Sequence, residues 1–367
     1  MWTKLTHSRL FQIFGMLLFF MMTVILVRLF MTTEVAATDP ATTASVVGLD
    51  FTPTSMTIES SQMMVTPYST EYPATITNSP PTGGICAEAW DIEISEPLPE
   101  WLQTPASAEG LHTEVKFYLL AGQLISRQIV DATGCIDGGL TTDGTANTCG
   151  MEKAYDQVIA WQNQFDDAIY QAALDNLIPA QLIKRLFAQE TQFWPPDKLA
   201  PASYGIGSVT SPGVEPLFLW YEDIYQEACR GLSATDCSQP YHSLPLKDQQ
   251  ALRGYLISQY MHVYCPSCPY GIDLDKISRS IDYFAKLIVA NCHQTGLVLR
   301  NHGFSPSAVA YDDAWRLTLA NYSKGASCIS NALDAMEVSA GFTWEGFTKQ
   351  LSPGCYVDIY INRITGE

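Results

Sequence analysis

The sequence is short of positive charge. Its 367 residues include 20 lysines and arginines against 38 aspartates and glutamates, which gives a formal net charge of -18. Proteins that bind nucleic acid neutralise phosphates with lysine and arginine, so this balance argues against that class. The excess of acid gives no attraction to an anionic surface either, and its simplest effect is to keep the protein soluble. We therefore expect no nucleic-acid partner.

The sequence also lacks the short motifs of several enzyme classes. It has no His-Glu-x-x-His zinc motif, no Gly-x-Ser-x-Gly nucleophile elbow and no phosphate-binding loop. Gly205 and Gly207 lack the third glycine and the upstream strand of a dinucleotide site, so they indicate only a turn. Four histidines share no ligand spacing: His242, His262, His293 and His302. We expect no metal and no organic cofactor.

No cysteine precedes Cys86, and all ten cysteines lie at or after it. An even number confined to one part of a chain is typical of an oxidising compartment. Cys135 with Cys149, and Cys229 with Cys237, lie close in sequence across loops that contain Gly, Asp or Ser, and they are candidate disulfides. The part of the chain from Cys86 onward is therefore predicted to be exported.

Cys265-Pro-Ser-Cys268 has three interpretations: a structural disulfide, half of a zinc site, or a redox dithiol. The second cysteine or histidine pair of a zinc site is missing, because Cys292-His293 supplies only an adjacent pair. The βαβ context of a redox domain is missing as well. We favour the disulfide, with the other two interpretations left open.

The N-terminal region predicts a membrane segment. Residues 10–30 are dominated by an apolar run long enough to cross a bilayer, and Lys4 and Arg9 precede it. The positive-inside bias places residues 1–9 in the cytoplasm and the remainder outside. A cleavable signal peptide is the alternative, with residues 35–37 as the cleavage site. We expect a single-pass protein of the cell membrane with an extracytoplasmic C-terminal part, which is secreted if the signal is cleaved.

Two regions precede the main body. Residues 31–85 are rich in Thr, Ser and Pro, which is typical of a disordered linker. Residues 86–150 are predicted to form a small, disulfide-pinned, β-containing module. Its expected hairpin has strands at 111–120 and 124–131, because β-branched and aromatic residues alternate around Ala121-Gly122-Gln123.

Helical periodicity dominates residues 151–367. Apolar residues recur at spacings of three and four at Ala154, Val158, Trp161, Phe165 and Ile169. Further helices are predicted at 217–229, 247–264, 275–291, 312–322 and 328–337. The fold class is therefore mainly α.

The helix after Pro179 carries the strongest chemical signal. Its buried stripe is predicted to be Leu182, Ile183, Leu186 and Phe187, and Glu190 continues that stripe four residues after Leu186. A carboxyl group between apolar walls loses hydration, so its pKa rises and it can act as a general acid. The alternative is a last-turn carboxylate that turns into water.

Two later segments strengthen the catalytic interpretation. Residues 202–210 read Ala-Ser-Tyr-Gly-Ile-Gly-Ser-Val-Thr, and residues 319–325 read Leu-Ala-Asn-Tyr-Ser-Lys-Gly. With the helix from Pro179 to Glu190, they resemble in order the motifs of the lytic transglycosylase family with the lysozyme-like fold. The family's final Tyr-Val-x-x-Ile motif is echoed from Tyr360 to Ile364. The resemblance covers roughly the last 220 residues, and residues 151–367 are expected to form the lysozyme-like domain.

The resemblance also implies roles for individual residues. Glu190 is the expected acid and then base, and the predicted substrate-binding residues are Thr191, Tyr204, Gly205, Ser208, Tyr322 and Ser323. Thr191 stands where the family has Ser, Ser208 where it has Gln, and Ser323 where it has Asn. Glu215, Glu222 and Asp223 are the candidates for a second carboxylate in a lysozyme-like hydrolase, with solvated side chains as the simpler interpretation.

The implied reaction is cleavage of peptidoglycan between N-acetylmuramic acid and N-acetylglucosamine, with 1,6-anhydro ends as the product. The partners are glycan strands, and the membrane through the N-terminal helix. The alternative is a catalytically degenerate protein that binds glycan or scaffolds an envelope machine. A thiol protein that uses Cys265 and Cys268 is a more distant option.

Overall fold

The computed structural model describes residues 84–92, 94, 97–196, 203–232 and 236–367, and all of them belong to one compact unit. This part of the chain is mainly helical, which confirms the predicted class. The predicted cytoplasmic segment, the membrane segment and nearly all of the linker lie outside the described residues. Among the helices that are described, none combines the length and the apolar character that a membrane crossing needs.

The α-helices, numbered in chain order, are α1 Ile85–Trp90, α2 Tyr118–Ser126, α3 Thr148–Asn163, α4 Asp166–Asn176, α5 Ala180–Thr191, α6 Glu215–Trp220, α7 Glu222–Gly231, α8 Leu246–Leu256, α9 Leu274–Asn301, α10 Tyr311–Lys324, α11 Ala326–Asp334, α12 Trp344–Thr348 and α13 Asp358–Thr365. Strands β1 Ser203–Tyr204 and β2 Val209–Thr210 form an antiparallel hairpin. A π-helical turn, Ile257–Met261, follows α8. Short 3₁₀ turns are Glu100–Leu102, Ala108–Leu111, Ile136–Gly139, Pro212–Val214, Tyr241–Ser243, Pro269–Gly271, Pro306–Ala308, Val338–Ala340 and Pro353–Cys355.

Helix α9 is the centre of the structure. The side chain of Asp273 caps its first turn by accepting a hydrogen bond from the backbone N–H of Lys276, at 2.9 Å. Apolar residues at helical spacing, among them Ile277, Ile281 and Ile288, are fully buried along its length. The helix packs against α1, α4, α6, α10 and α11. A long amphipathic helix with partners on several sides is the frame on which the other elements are placed.

The β-hairpin predicted at 111–131 is wrong, because the structure has helix α2 there. Leu120, Ala121, Leu124 and Ile125 are buried at helical spacing. Gly122, taken as a turn residue, lies inside the helix. A Cβ on this glycine would lie 2.2 Å from the carbonyl oxygen of Gly144, so the glycine allows two backbones to approach closely.

The separate β-containing module predicted at 86–150 is also wrong. Helix α3 runs across the expected boundary at 150/151, with the side chain of Asn147 capping its first turn. Between residues 86 and 150 the described backbone forms no strand, and it has only an isolated bridge between Leu140 and Ala146. Helix α1 is fixed to the main body by a Cys86–Cys292 disulfide and by a hydrogen bond from the indole N–H of Trp90 to the carbonyl of Cys292.

All ten cysteines form disulfides. The predicted pairs Cys135–Cys149 and Cys229–Cys237 are confirmed, as is the favoured disulfide between Cys265 and Cys268. The remaining pairs, Cys86–Cys292 and Cys328–Cys355, were not predicted. Neither Cys265 nor Cys268 is a free thiol in this structure.

Candidate active site

Helix α5 positions Glu190. Its four predicted core residues are fully buried: Leu182, Ile183, Leu186 and Phe187. The helix begins after Pro179 and ends at Thr191, and the next residue, Gln192, adopts a left-handed conformation with φ of 50°. Glu190 follows the buried stripe into the last turn and is itself partly buried rather than fully in water.

The carboxyl group of Glu190 has one close polar partner. The hydroxyl of Tyr360 donates a hydrogen bond to its Oε1 atom at 2.6 Å. Burial raises the pKa of Glu190, and the hydrogen bond from Tyr360 opposes the rise by favouring the charged form. Glu190 is in none of the ion pairs formed by the described residues. A half-buried carboxyl without a cation is biased toward the protonated form that a general acid requires.

Two predicted site residues hold the β1–β2 hairpin beside Glu190. The hydroxyl of Thr191 donates to the carbonyl of Ile206 at 2.6 Å, and the hydroxyl of Tyr322 donates to the carbonyl of Gly207 at 2.5 Å. The pKa of Tyr322 is raised well above its ordinary value by burial and by the negative charge of Glu190. The charge of Glu190 is therefore close enough to the Tyr322 hydroxyl to affect its ionisation.

Packing fixes the hairpin against α9. A Cβ on Gly207 would lie 2.3 Å from the ring of Phe284, so only glycine allows this approach. The Phe284 ring lies 4.7 Å from the ring of Phe187 on α5 and 5.6 Å from the ring of Tyr322 on α10. One phenylalanine thus joins the hairpin, the Glu190 helix and the tyrosine helix.

The other predicted residues take more varied positions. Gly205 and Ser208 both have left-handed backbone conformations, with φ of 67° and 55°, and the N–H of Ser208 donates to the carbonyl of Gly205 at 3.1 Å. The ring of Tyr204 packs edge-on against His262, with 5.9 Å between the ring centroids. Ser323 follows Tyr322 on α10 and is partly buried. Thr191 and Tyr322 therefore bond directly to the hairpin, and Glu190 is adjacent to Thr191 in the chain, whereas the ring of Tyr204 packs against His262.

Tyr360 is the site residue to which the sequence assigned no role. Its signal was the motif echo from Tyr360 to Ile364, which was noted without a contact. The structure explains the motif, because Ile361 and Ile364 are fully buried and anchor α13. Arg185 on α5 donates to the carbonyl of Ile364 at 2.9 Å, which keeps Tyr360 over Glu190.

The candidate second carboxylates have other environments. Glu215 forms an ion pair with Arg253 and accepts a hydrogen bond from Tyr241 at 3.2 Å. Glu222 is exposed and accepts from the side-chain amide of Gln226 at 2.8 Å, and Asp223 is exposed in the same turn. The solvated interpretation is confirmed for Glu222 and Asp223, while Glu215 is paired.

Within the described residues, no group of three or more His, Cys, Asp or Glu side chains is placed to hold a metal ion. Comparison with known proteins finds no match: no protein-family model, no curated protein and no solved structure is similar to the chain at a significant level. The geometry around Glu190 is therefore the basis for a functional proposal.

Proposed function

We propose that this chain is a lytic transglycosylase of peptidoglycan with a lysozyme-like helical domain. The observation that carries the proposal is the proximity of four segments in the folded chain. Four segments that resemble the family's motifs in order lie far apart in sequence, yet Glu190, the hairpin at 203–210, Tyr322 and Tyr360 are joined by contacts in space. Structural packing alone does not require a partly buried carboxyl at their centre.

The first chemical step uses the protonated form of Glu190. Burial raises the pKa of this carboxyl, so it retains a proton nearer to neutral pH than an exposed glutamate does. It donates that proton to the oxygen of the glycosidic bond as the bond breaks. Tyr360 holds the carboxyl in one orientation through its 2.6 Å hydrogen bond and stabilises the carboxylate that results.

The second step returns the proton. The Glu190 carboxylate removes the proton from the 6-hydroxyl of the muramic acid, and the freed oxygen attacks the anomeric carbon of the same sugar. The product is a 1,6-anhydro ring, and no water is consumed. Glycosidases that use water commonly need a second carboxylate across the bond. Here Glu215 is paired with Arg253, which agrees with a one-carboxylate reaction.

Substrate binding is assigned to the surface formed by the hairpin and the residues next to it. Thr191 and Tyr322 act mainly by fixing the hairpin backbone, since both hydroxyls donate to its carbonyls. Gly205 and Ser208 give the turn its shape through left-handed conformations. The groups expected to bind the acetamido groups of the sugar are backbone groups of this turn, together with the hydroxyls of Ser208 and Ser323.

The proposed site of action is outside the cytoplasm. All ten cysteines are paired, which agrees with an oxidising compartment. Attachment to the membrane through residues 10–30 belongs to the same proposal and rests on the sequence alone. Peptidoglycan strands lie in that compartment, so substrate and enzyme would meet there.

A binding protein is the second candidate. It is favoured by one observation: the Tyr322 hydroxyl is engaged by the Gly207 carbonyl, and the two neighbouring substrate-binding positions are the short side chains Ser208 and Ser323. In this alternative the protein holds glycan strands, or scaffolds an envelope machine, without cleaving them.

The test is digestion of purified peptidoglycan by the full-length chain, with product masses measured for wild type and Glu190→Gln. We expect anhydro-muropeptides from the wild type. We expect a loss of about 10²- to 10⁴-fold in the variant, which is the usual contribution of a general acid or base. Glu222→Gln is the matched control, because it makes the same chemical change at an exposed carboxylate.

Each other product pattern has a distinct meaning. Reducing-end products would replace the transglycosylase with a hydrolase. If no product forms while glycan strands are retained in a pull-down, the binding protein is correct. Equal activity of wild type and Glu190→Gln would remove Glu190 from the mechanism. Near-ultraviolet circular dichroism of each variant establishes that it is folded.

A further inference from the structure

A second polar cluster lies at the C-terminal end of α9, away from the Glu190 site. The Nε2 atom of His302 lies 2.7 Å from the hydroxyl oxygen of Ser330. The Nδ1 atom of the same ring lies 2.8 Å from a carboxylate oxygen of Asp334. One histidine therefore bridges a serine and an aspartate, each through a different ring nitrogen.

The aspartate determines which ring nitrogen carries the proton. An ionised carboxylate can only accept a hydrogen bond, so in neutral His302 the proton lies on Nδ1 and is donated to Asp334. The lone pair of Nε2 then faces the Ser330 hydroxyl, which donates to it. This is the order of groups in a nucleophile–base–orienter relay, which is recognised by geometry rather than by position in the sequence.

Ser330 differs from Thr295 and Thr318, two hydroxyl residues in the neighbouring helices α9 and α10. Thr295 and Thr318 donate to the carbonyl four residues earlier, at 2.9 Å in both cases. That back-bonding is a common arrangement for a hydroxyl in a helix. The Ser330 hydroxyl is instead directed out of its helix to the imidazole of His302.

The framework around the cluster is rigid. His302 directly follows the last residue of α9, and its backbone N–H donates to the carbonyls of Val298 and Leu299 at 3.2 Å. Helix α11 buries Ile329 and Leu333 and carries Ser330 and Asp334 one turn apart on a common face. The Cys328–Cys355 disulfide ties the same helix to the segment before α13. Both sides of the cluster are therefore held in place.

We propose that Ser330, His302 and Asp334 form a nucleophilic site that hydrolyses carboxylic esters. The oxygen of Ser330 forms a bond to the carbonyl carbon, and its proton moves to Nε2 of His302. The bond to the alcohol oxygen then breaks, and that oxygen takes the proton from Nε2. An acyl-serine remains. Water attacks it with the same proton transfers, so the sum is ester plus water to carboxylic acid plus alcohol.

Exposure limits the class of substrate and the role of each residue. The Asp334 side chain is 67% exposed. Water therefore screens the electrostatic interaction between its carboxylate and the imidazole, so Asp334 acts as a positioning residue that fixes the ring. The His302 side chain is 16% exposed and Ser330 is partly buried. The reacting atoms are thus near the surface, where acyl esters carried on a larger molecule can reach them. The site uses none of the residues around Glu190.

The test is covalent labelling of the folded full-length chain with a fluorophosphonate probe, followed by peptide mapping. We expect one labelled residue, Ser330, with no label in Ser330→Ala. We expect labelling at least tenfold slower in His302→Gln and in Asp334→Asn. Ser327→Ala is the matched control, because Ser327 is an exposed serine one turn earlier on α11. The wild type should also hydrolyse p-nitrophenyl acetate faster than Ser330→Ala does.

The opposite results overturn the site. No labelling of the wild type, or labelling that persists in Ser330→Ala, removes Ser330 as a nucleophile. Labelling of Ser330 at the wild-type rate in both His302→Gln and Asp334→Asn removes the relay. Ser330→Ala deletes a single oxygen atom from a partly buried side chain, and thermal melting establishes that it folds. If His302→Gln or Asp334→Asn unfolds at a clearly lower temperature than the wild type, the labelling rate of the other variant is used to test the relay.

Discussion

Helix α5 carries two ionisable side chains in very different surroundings. Lys184 is 2% exposed, and its ammonium group forms an ion pair with Asp166. The ammonium also donates to the carbonyl of Gln162 at 2.7 Å and to the side-chain oxygen of Asn163 at 3.0 Å. Six residues later, Glu190 has a single hydroxyl partner, Tyr360, and no ion pair among the described residues.

The difference distinguishes a charge that supports the fold, on Lys184, from a carboxyl suited to catalysis, on Glu190. Burying a charge is costly unless it is paired and hydrogen-bonded, and the environment of Lys184 meets that requirement. Burial lowers the pKa of Lys184, while the hydrogen bond and the charge of Asp166 raise it again. For Glu190 burial raises the pKa, and a tyrosine replaces the counter-charge. A partly buried carboxyl left in this state is typical of a functional site.

The largest effect is expected from breaking the structural charge pair. Lys184→Met keeps most of the side-chain length and leaves Asp166 buried without its cation. We expect a loss of about 3 to 5 kcal/mol in the free energy of unfolding, which is typical of removing one partner of a buried ion pair. Chemical denaturation measures it. Lys153→Met, at an exposed position on α3, is the control and should change stability by no more than about 0.5 kcal/mol.

A double variant sharpens this prediction. Lys184→Met combined with Asp166→Leu removes both charges, so most of the lost stability should return. If Lys184→Met alone is as stable as the wild type, the pair contributes nothing and the contrast with Glu190 fails.

The second prediction concerns how the stability effect of Glu190→Gln varies with pH. The pKa of Glu190 in the folded state is raised above its ordinary value of 4.5, so the native state keeps a proton that the unfolded chain has lost. The stability contributed by the neutral carboxyl is therefore fully present below the unfolded pKa and is lost as pH rises through the folded pKa. Glu190→Gln cannot ionise at this position. Relative to the wild type it should become steadily more stable over that window.

Denaturant unfolding of both proteins from about pH 4 upward measures this difference. A constant difference across the window would mean that the folded and unfolded pKa values of Glu190 are equal, and burial would then have no effect on its ionisation. Glu222→Gln is the control, because it makes the same chemical change at an exposed carboxylate.

Spacing along α5 was enough to predict one half of this comparison. The sequence placed Glu190 on a buried stripe, and the stripe is buried as predicted. The partner of Lys184 is 18 residues earlier and the partner of Glu190 is 170 residues later, and no local pattern indicates such contacts. Only the resemblance to a family motif drew attention to Tyr360, and it gave no contact.

The disulfides follow the same rule. Pairs separated by 14, 8 and 3 residues were predictable from loops close in sequence, whereas those separated by 206 and 27 were not. The prediction of a turn at Gly122 was wrong for a related reason. A glycine between two apolar runs indicates a turn when only neighbours are considered, but here it serves the close approach of Gly144, 22 residues away. Local sequence patterns were enough to predict the helical class and the position of Glu190. The long-range disulfides and the role of Gly122 depend on tertiary contacts, which no local pattern indicates.

The smallest and most specific effect is expected from Tyr360→Phe. The change removes one hydroxyl and leaves the ring in place, so α13 should keep its packing. The hydrogen bond from Tyr360 lowers the pKa of Glu190 and stabilises its charged form, so its loss should raise that pKa further and slow the step that uses the carboxylate. We expect kcat for anhydro-product formation to fall about tenfold, equivalent to ~1.4 kcal/mol. The alkaline limb of the pH–rate profile should move to higher pH.

The pH profile separates positioning from simple structural support. A residue that only supports the fold would lower the amount of active enzyme without moving the pKa of the acid, so the profile would keep its shape. Tyr356→Phe is the matched control, because it makes the same change at an exposed tyrosine just before α13. A shifted profile in Tyr360→Phe alone would establish that the tyrosine sets the ionisation of Glu190. An unshifted profile would mean that burial alone governs the acid, and the hydroxyl would then have no part in the chemistry.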